Sequence, residues 1–118
     1  MISNLDTEGL SKIAFDYDLF YIDIWGVIHN GVKLNFSAIE TLKKLKENKK
    51  KFVLLTNAPR PNESVIEFLK KMGLKDYYDK VFTSGEAALR YLKSDLNNKK
   101  FLKSISKKNY DKRLGLNI

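Results

Sequence analysis

The sequence predicts an α/β fold, a Rossmann-like three-layer αβα arrangement around a short parallel sheet. Short apolar runs that end abruptly in polar residues have the character of buried strands, and a helical pattern of ordinary crossover length follows each one. This strand–helix order occurs three times, and strands that alternate with helices form right-handed βαβ crossovers in a parallel sheet. We expect the three strands to follow one another outward from the first, which lies at the centre.

The first predicted strand, residues 19–25, is apolar at odd and even positions alike except at Asp23. A strand buried on both faces has this pattern, because helices cover both faces of a parallel sheet. Residues 1–17 form a polar lead-in before the strand, and a loop over residues 26–36 follows it.

The capping box Ser37-Ala38-Ile39-Glu40 predicts a helix that begins at Ser37 and ends near residue 48. The second strand, residues 52–55, is again apolar at every position. A second helix is expected over residues 62–72, with Gly73 as its C-terminal cap.

The third strand is formed by Val81 and Phe82, and the capping-box spacing from Thr83 to Glu86 predicts a helix directly after it. The predicted core segment covers residues 18–96. Residues 97–118 form a Lys-rich tail, for which disorder and a frameshifted reading are both open alternatives. Within this tail, the run from Lys99 to Lys103 is compatible with the start of a fourth strand.

The distribution of charge argues against a specific nucleic-acid partner, despite a net charge of +8. Of the 22 basic and 14 acidic residues, seven and one respectively lie in residues 97–118, so the rest of the chain is nearly balanced. A nucleic-acid-binding domain instead has its basic residues on one face of the fold. The lack of cysteine excludes disulfides, thiolate metal sites and cysteine nucleophiles.

No membrane partner is expected, because the sequence has no run of about 18 uncharged apolar residues. Asp6 and Glu8 occupy the region in which a signal peptide is basic. We therefore expect a cytoplasmic protein.

Polar side chains stand at the ends of the first two strands. Asp23 ends the first, and a carboxylate in an apolar strand needs compensation from a metal ion or from hydrogen-bond donors. Thr56 and Asn57 end the second, where a hydroxyl, an amide and backbone N–H groups donate to phosphoryl oxygens. Because ligands bind beyond the carboxyl ends of parallel strands, the pair favours a nucleophile and a phosphate-binding group at one edge. The structural alternatives are backbone N–H bonds from the Gly26 turn to Asp23, and an ordinary strand-to-loop turn at Thr56.

Other polar and aromatic residues have ordinary structural roles as their default interpretation. His29, the single histidine, is expected to be a solvated or hydrogen-bonding loop residue. Trp25 is expected to be a packed side chain, with a stacking platform as its alternative, and Arg60 an exposed loop residue. Substrate contact is the alternative for both His29 and Arg60. A run of lysines is expected to form a solvated helix face and turn, and not a binding site: Lys43, Lys44, Lys46, Lys49, Lys50 and Lys51.

In their order and spacing, these residues resemble the start of a haloacid dehalogenase (HAD) superfamily hydrolase. The resemblance covers roughly residues 18–93 and rests on Asp23-x-x-Gly26-Val27, Gly31, Ser37-Ala38-x-Glu40, Leu42, Leu45, Thr56-Asn57, Leu69 and Gly73. The closer similarity is to subfamily IIA, the branch that includes nucleotide-sugar and p-nitrophenyl phosphatases. Members of this branch carry a cap domain after the third strand.

The resemblance implies Mg²⁺-dependent phosphoryl transfer from a small phosphorylated metabolite. Asp23 matches the nucleophile that forms an aspartyl-phosphate and also binds Mg²⁺, and the backbone carbonyl of Trp25 matches a second metal ligand. Thr56 and Asn57 match the residues that hold the transferring phosphoryl group, and Gly26 is assigned to substrate binding.

Two departures from the family pattern predict little or no activity for this chain alone. The family's phosphatases usually carry a second Asp two residues after the first as general acid and base, a contribution of ~10²–10⁴ in rate, and Trp25 stands there. Asp16 and Asp18 do not replace it, because they precede the strand and lie at its opposite end. The family also needs a lysine and an acidic pair that come later in the sequence. Beyond about residue 97 this sequence no longer resembles the family, and it has no such acidic pair.

The sequence thus predicts the N-terminal core of a HAD phosphatase-like hydrolase that is incomplete as this chain alone. An interrupted gene and one part of a split enzyme both agree with this interpretation. The alternative is a non-catalytic module that binds a phosphate ligand or pairs with a separately encoded remainder of the fold. An open sheet edge and an uncovered apolar face favour pairing.

Overall fold

A computed structural model describes residues 5–94 of the chain, and these residues divide between Leu55 and Thr56 into two compact units. The three strands belong to one sheet in the order β1-β2-β3, and the predicted α/β class is confirmed. The elements in chain order are α1 (Leu5–Glu8), β1 (Leu19–Asp23), α2 (Phe36–Glu47), β2 (Lys51–Thr56), α3 (Asn62–Met72), β3 (Val81–Thr83) and α4 (Ser84–Ser94). The predicted tail, with its fourth strand, lies outside the described residues.

The first unit is built on two parallel strands and one long helix. β1 pairs with β2 so that Leu19 lies opposite Lys51 and Asp23 lies opposite Leu55. Its core is formed by fully or almost fully buried apolar side chains: Ile24, Ile28, Leu42, Leu45, Phe52 and Leu54. The lead-in before β1 contains α1 and two single-turn 3-10 helices, Leu10–Lys12 and Ala14–Asp16.

The prediction that β1 is buried on both faces is wrong for one face. Leu19 is 45% exposed and Tyr21 is 69% exposed, whereas Phe20 and Ile22 are half-buried. Successive side chains of a strand point to opposite faces, so Leu19, Tyr21 and Asp23 share one face. The described residues leave that face open to solvent.

The predicted start of α2 at Ser37 is also wrong, because Asn35 is the N-cap. The Asn35 side-chain oxygen accepts a hydrogen bond from the backbone N–H of Ala38 at 3.4 Å, and the helix begins at Phe36. Asn and Ser are about equally good N-caps, so sequence preference does not distinguish two candidates that lie two residues apart.

The second unit confirms the predicted bounds of α3, and its strand β3 continues one residue beyond the predicted Val81 and Phe82. α3 covers residues 62–72 and ends at Gly73, whose φ of 106° is the left-handed conformation that terminates helices. One half of the predicted capping box before α4 is present, since the Thr83 hydroxyl oxygen accepts the backbone N–H of Glu86 at 2.8 Å. The other half is not formed, because the backbone N–H of Thr83 donates to the Asn62 side chain and not to Glu86. Buried apolar side chains of this unit include Leu69 and Leu89.

Among residues 5–94, none of the helices combines the length and the apolar character needed to cross a bilayer.

Candidate active site

Asp23 is the last residue of β1, and its side chain is exposed to solvent. Its Oδ1 accepts a hydrogen bond from the backbone N–H of Ile24 at 2.9 Å. Its Oδ2 accepts none from the described part of the chain. The expected bond from the Gly26 turn is absent there, because the Gly26 N–H donates to the carbonyl of His29 at 2.7 Å instead. One carboxylate oxygen is therefore held by the backbone, and the other makes no hydrogen bond with residues 5–94.

A tight turn fixes the backbone directly after Asp23. The Ile24 carbonyl accepts the N–H groups of Val27 at 3.2 Å and Ile28 at 2.8 Å. Gly26 has a φ of 81°, a conformation that residues with a side chain rarely adopt. The carbonyl of Trp25 accepts no hydrogen bond from residues 5–94, so it is available as a ligand.

His29 is a buried organiser of this loop. Its side chain is only 4% exposed, and its Nδ1 accepts the backbone N–H of Gly31 at 2.9 Å. Burial lowers the pKa of His29 below its ordinary value of 6.5, because desolvation disfavours the charged ring. The expected hydrogen-bonding role is confirmed, whereas solvation of this side chain is wrong.

Trp25 is more exposed than its expected packing role requires. Its indole is 63% exposed, although one edge meets the His29 ring with centroids 5.1 Å apart. Its side chain therefore covers His29 on one side and faces solvent on the other.

In the second unit, Thr56 and Asn57 begin a loop that follows β2. The Thr56 hydroxyl oxygen accepts the backbone N–H of Ala58 at 3.3 Å, which is the turn foreseen as the structural alternative. Thr56 is half-buried and Asn57 is exposed. The Thr56 hydroxyl oxygen thus has a local structural role as an acceptor. The same hydroxyl can still donate its proton in another hydrogen bond.

Residues at the start of α4 hold this loop in place, and the sequence reasoning missed them. The Ala58 carbonyl accepts the Gly85 N–H at 3.1 Å and the Ser84 hydroxyl at 3.0 Å. The Thr83 hydroxyl donates to the Arg60 carbonyl. The only sequence signal was the capping box from Thr83 to Glu86, which reports on the helix and not on the loop. Arg60 itself is exposed, as expected.

The register of β1 and β2 shows which residue of β2 lies beside Asp23. Asp23 lies opposite Leu55, which is the residue immediately before Thr56 in the chain. Asp23 Oδ2 and the Trp25 carbonyl are oxygen ligands of the kind that Mg²⁺ prefers, and Mg²⁺ usually keeps several waters. The described ranges contain no group of three or more His, Cys, Asp or Glu placed to hold a metal ion. Within the described residues, this end of β1 therefore offers such an ion at most two oxygen ligands from the protein, Asp23 and the Trp25 carbonyl.

Comparisons with known proteins identify relatives for most of the chain. The model of the family of haloacid dehalogenase-like hydrolases matches residues 20–113. A haloacid dehalogenase-like hydrolase from Brucella suis 1330 is 33% identical, with a TM-score of 0.62, over 65% of this chain and 29% of that one. A 4-nitrophenylphosphatase from Thermotoga maritima is 30% identical, with a TM-score of 0.59, over 68% of this chain and 31% of that one.

A p-nitrophenyl phosphatase from Archaeoglobus fulgidus is also 30% identical, with a TM-score of 0.57, over 66% of this chain and 30% of that one. No curated protein matches the chain. The matched segment thus spans about 30% of the length of these solved structures.

Proposed function

Since the chain belongs to the haloacid dehalogenase-like hydrolase family, we propose that residues 18–96 form the N-terminal core of a Mg²⁺-dependent phosphatase-like hydrolase. The position of Asp23 carries the proposal. Its carboxylate is exposed at the carboxyl end of a parallel strand, where α/β folds bind ligands, and one of its oxygens is already oriented by the backbone.

In the proposed reaction, Asp23 acts as the nucleophile on a small phosphorylated metabolite. A carboxylate oxygen forms a bond to phosphorus while the bond to the leaving oxygen breaks, which produces an acyl phosphate on Asp23. Water then cleaves this acyl phosphate, which releases inorganic phosphate and regenerates the free carboxylate. Most of the rate enhancement in such transfers comes from positioning and from electrostatic stabilisation of the phosphoryl oxygens.

The other assigned residues bind and orient the phosphoryl group. The Thr56 hydroxyl and the Asn57 backbone N–H would donate to phosphoryl oxygens, and the Gly26 turn lets the backbone approach them closely. Mg²⁺ would be held by the Asp23 carboxylate and the Trp25 carbonyl, and it would offset the negative charge shared by nucleophile and phosphoryl group.

We further propose that the 118-residue chain alone has little or no phosphatase activity. The two departures described above support this, since Trp25 replaces the general acid and base and the late acidic pair has no counterpart. The matched segment is also less than a third of each solved relative.

A chimera separates the role of Asp23 from the activity of the isolated chain. Residues 1–94 of this protein would replace the matched segment of the Thermotoga maritima 4-nitrophenylphosphatase. Hydrolysis of 4-nitrophenyl phosphate would be measured with and without Mg²⁺. We expect turnover by the chimera that is lost in Asp23→Asn and kept in Asp16→Asn, a matched control that precedes β1.

Three results would overturn parts of this proposal. Equal turnover in Asp23→Asn would exclude Asp23 as the nucleophile. A folded chimera that also carries Trp25→Asp, which restores the general acid and base, and that still shows no turnover would exclude the assignment of this segment as a phosphatase core. Turnover by the unfused 118-residue chain that needs both Mg²⁺ and Asp23 would contradict the proposed inactivity.

A second candidate function is pairing with a polypeptide that supplies the rest of the fold. The open apolar face of β1, with Leu19 and Tyr21, favours it, because exposed apolar surface on a sheet is commonly an interaction site. Mixing the chain with the remaining segment of the Thermotoga relative should then give a complex on size exclusion. Loss of that complex in Tyr21→Ser, with Tyr91→Ser as the control outside β1, would support pairing through this face.

A further inference from the structure

A cavity of about 280 Å³ lies in the first unit, beside the lead-in that precedes β1. Part of its lining is apolar and comes from the lead-in residues Leu10, Ala14 and Phe15. The Phe15 ring is 79% exposed, so it makes little contribution to the core of this unit. Such a ring presents a face on which a flat ligand group can stack.

The lining also includes two cationic residues. Lys44 of α2 and Lys50, which precedes β2, both line the cavity, and none of the residues lining it is acidic. Ligand sites in proteins commonly have volumes of ~300–1,000 Å³, so a cavity of this size suits a small, single-ring molecule.

Lys50 departs from the expectation that the lysines of this region are solvated. Its side chain as a whole is only 14% exposed, so the protein shields most of it from water. A cation with fewer water contacts gains more from a nearby negative charge. Its Nζ lies 3.7 Å from Oδ1 of Asp18, but that carboxylate is fully exposed, and ion pairs to exposed groups are weak. The Phe15 ring, with its centroid 5.9 Å from Nζ, adds a distant cation–π contact. An anion in the cavity would complete the compensation.

We propose that this cavity binds a small aromatic phosphate or carboxylate, with the ring on Phe15 and the anionic group between Lys44 and Lys50. The site lies at the amino ends of β1 and β2, because Asp18 and Lys50 directly precede these strands. Asp23 is at the other end of the five-residue strand β1, about 16 Å away at ~3.3 Å per residue. The proposed site is therefore separate from the candidate active site and does not depend on the proposed function.

The test is a titration of the ¹⁵N-labelled 118-residue chain with phenylphosphonate and, in parallel, with benzoate, followed by NMR. Phenylphosphonate has a P–C bond, so hydrolysis cannot confuse the measurement. We expect saturable shifts of backbone amides in residues 10–15 and 41–50. Inorganic phosphate, which lacks the ring, and benzyl alcohol, which lacks the charge, should bind at least tenfold more weakly.

Variants assign the binding to the two lysines. Lys50→Met, which keeps the aliphatic stem, should weaken binding at least tenfold, and Lys44→Gln should weaken it at least threefold. Because Lys44 is exposed on α2, its replacement leaves folding intact even if Lys50→Met does not. Lys43→Gln is the matched control on the same helix, and Asp23→Asn is the control for the candidate active site. Both should bind like the unmodified chain.

The two anions distinguish the ligand class. Tighter binding of phenylphosphonate assigns the site to phosphates, and tighter binding of benzoate assigns it to carboxylates. The proposal is overturned if neither anion shifts residues 10–15 and 41–50, or if Lys44→Gln and Lys50→Met both bind with unchanged affinity.

Discussion

Replacing Gly85 with alanine should destabilise the second unit, although a Gly→Ala change in a helix ordinarily stabilises. Gly85 is the second residue of α4, and a methyl group there would overlap the backbone atoms N, C and O of Arg60. These atoms are restrained, because the Arg60 carbonyl accepts the Thr83 hydroxyl and the Ala58 carbonyl accepts the Gly85 N–H. The loop can make room only by moving away from the helix.

Two opposing effects set the size of the change. Helix propensity favours alanine over glycine by roughly 0.5–1 kcal/mol. Overpacking costs about 1–3 kcal/mol, and weakening the two hydrogen bonds to the Ala58 carbonyl costs about 0.5–1.5 kcal/mol each. We therefore expect a net loss of about 1–5.5 kcal/mol, which is large beside a typical total stability of ~5–15 kcal/mol.

Urea unfolding followed by far-ultraviolet circular dichroism measures this loss as a lower midpoint at unchanged slope. Ala87→Gly, an exposed position in the same helix, is the matched control, and it should lose only the propensity difference of up to about 1 kcal/mol. A higher midpoint for Gly85→Ala would show that propensity alone acts, and the close approach of loop and helix would be refuted.

Three further predictions concern the first unit. Burial lowers the pKa of His29 below 6.5 in the folded chain. As the pH falls, the unfolded chain therefore takes up a proton at a higher pH than the folded chain does. Stability should therefore fall as pH decreases through 6.5 and level off below the folded-state pKa. Urea midpoints between pH 8 and pH 5 test this, and an equal pH dependence in His29→Gln would contradict it. Asn35→Ala should cost about 1 kcal/mol of stability in thermal unfolding, which is the usual contribution of an N-cap, whereas Ser37→Ala should cost less than about 0.5 kcal/mol. The reverse order would show that Ser37 is the N-cap. Leu54→Ala, at a fully buried position, should cost about 2–5 kcal/mol of stability. Tyr21→Ser, on the exposed face of β1, should change stability by less than about 1 kcal/mol. Losses of similar size in the two variants would mean that β1 is covered on both faces.

The elements that sequence reasoning located well are those with local signals. α3 has an apolar stripe and a glycine at its end, and both its bounds agree with the structure. The start of α4 was found because Thr83 and Glu86 stand at capping distance. The start of α2 was missed because Asn35 and Ser37 offer equivalent caps, and only the path of the loop before them decides.

Site features that depend on a single residue could be predicted from the sequence. Features that depend on contacts between residues far apart in the sequence could not. Asp23 and Thr56 were found from their positions at strand ends. The restraint of the loop by Ser84 and Gly85 was not, since it joins residues 26 or more positions apart through a backbone carbonyl. The burial of Lys50 was missed for the same reason: its neighbours in sequence are exposed lysines, whereas its Nζ lies near Asp18 and Phe15, which are 32 and 35 positions away.

The pattern of β1 is the point at which sequence and structure disagree most informatively. Its sequence is that of a strand covered on both faces, yet residues 5–94 cover only one of them. The matched segment spans about 30% of the solved relatives, so most of their fold lies outside it. We expect the polypeptide that corresponds to this remainder, in whichever chain it resides, to cover Leu19 and Tyr21. Burial of an apolar side chain contributes about 1.5–3 kcal/mol, so covering this face would stabilise the strand that ends in Asp23. Under the proposed function, the same polypeptide would then also stabilise the strand that carries the proposed nucleophile.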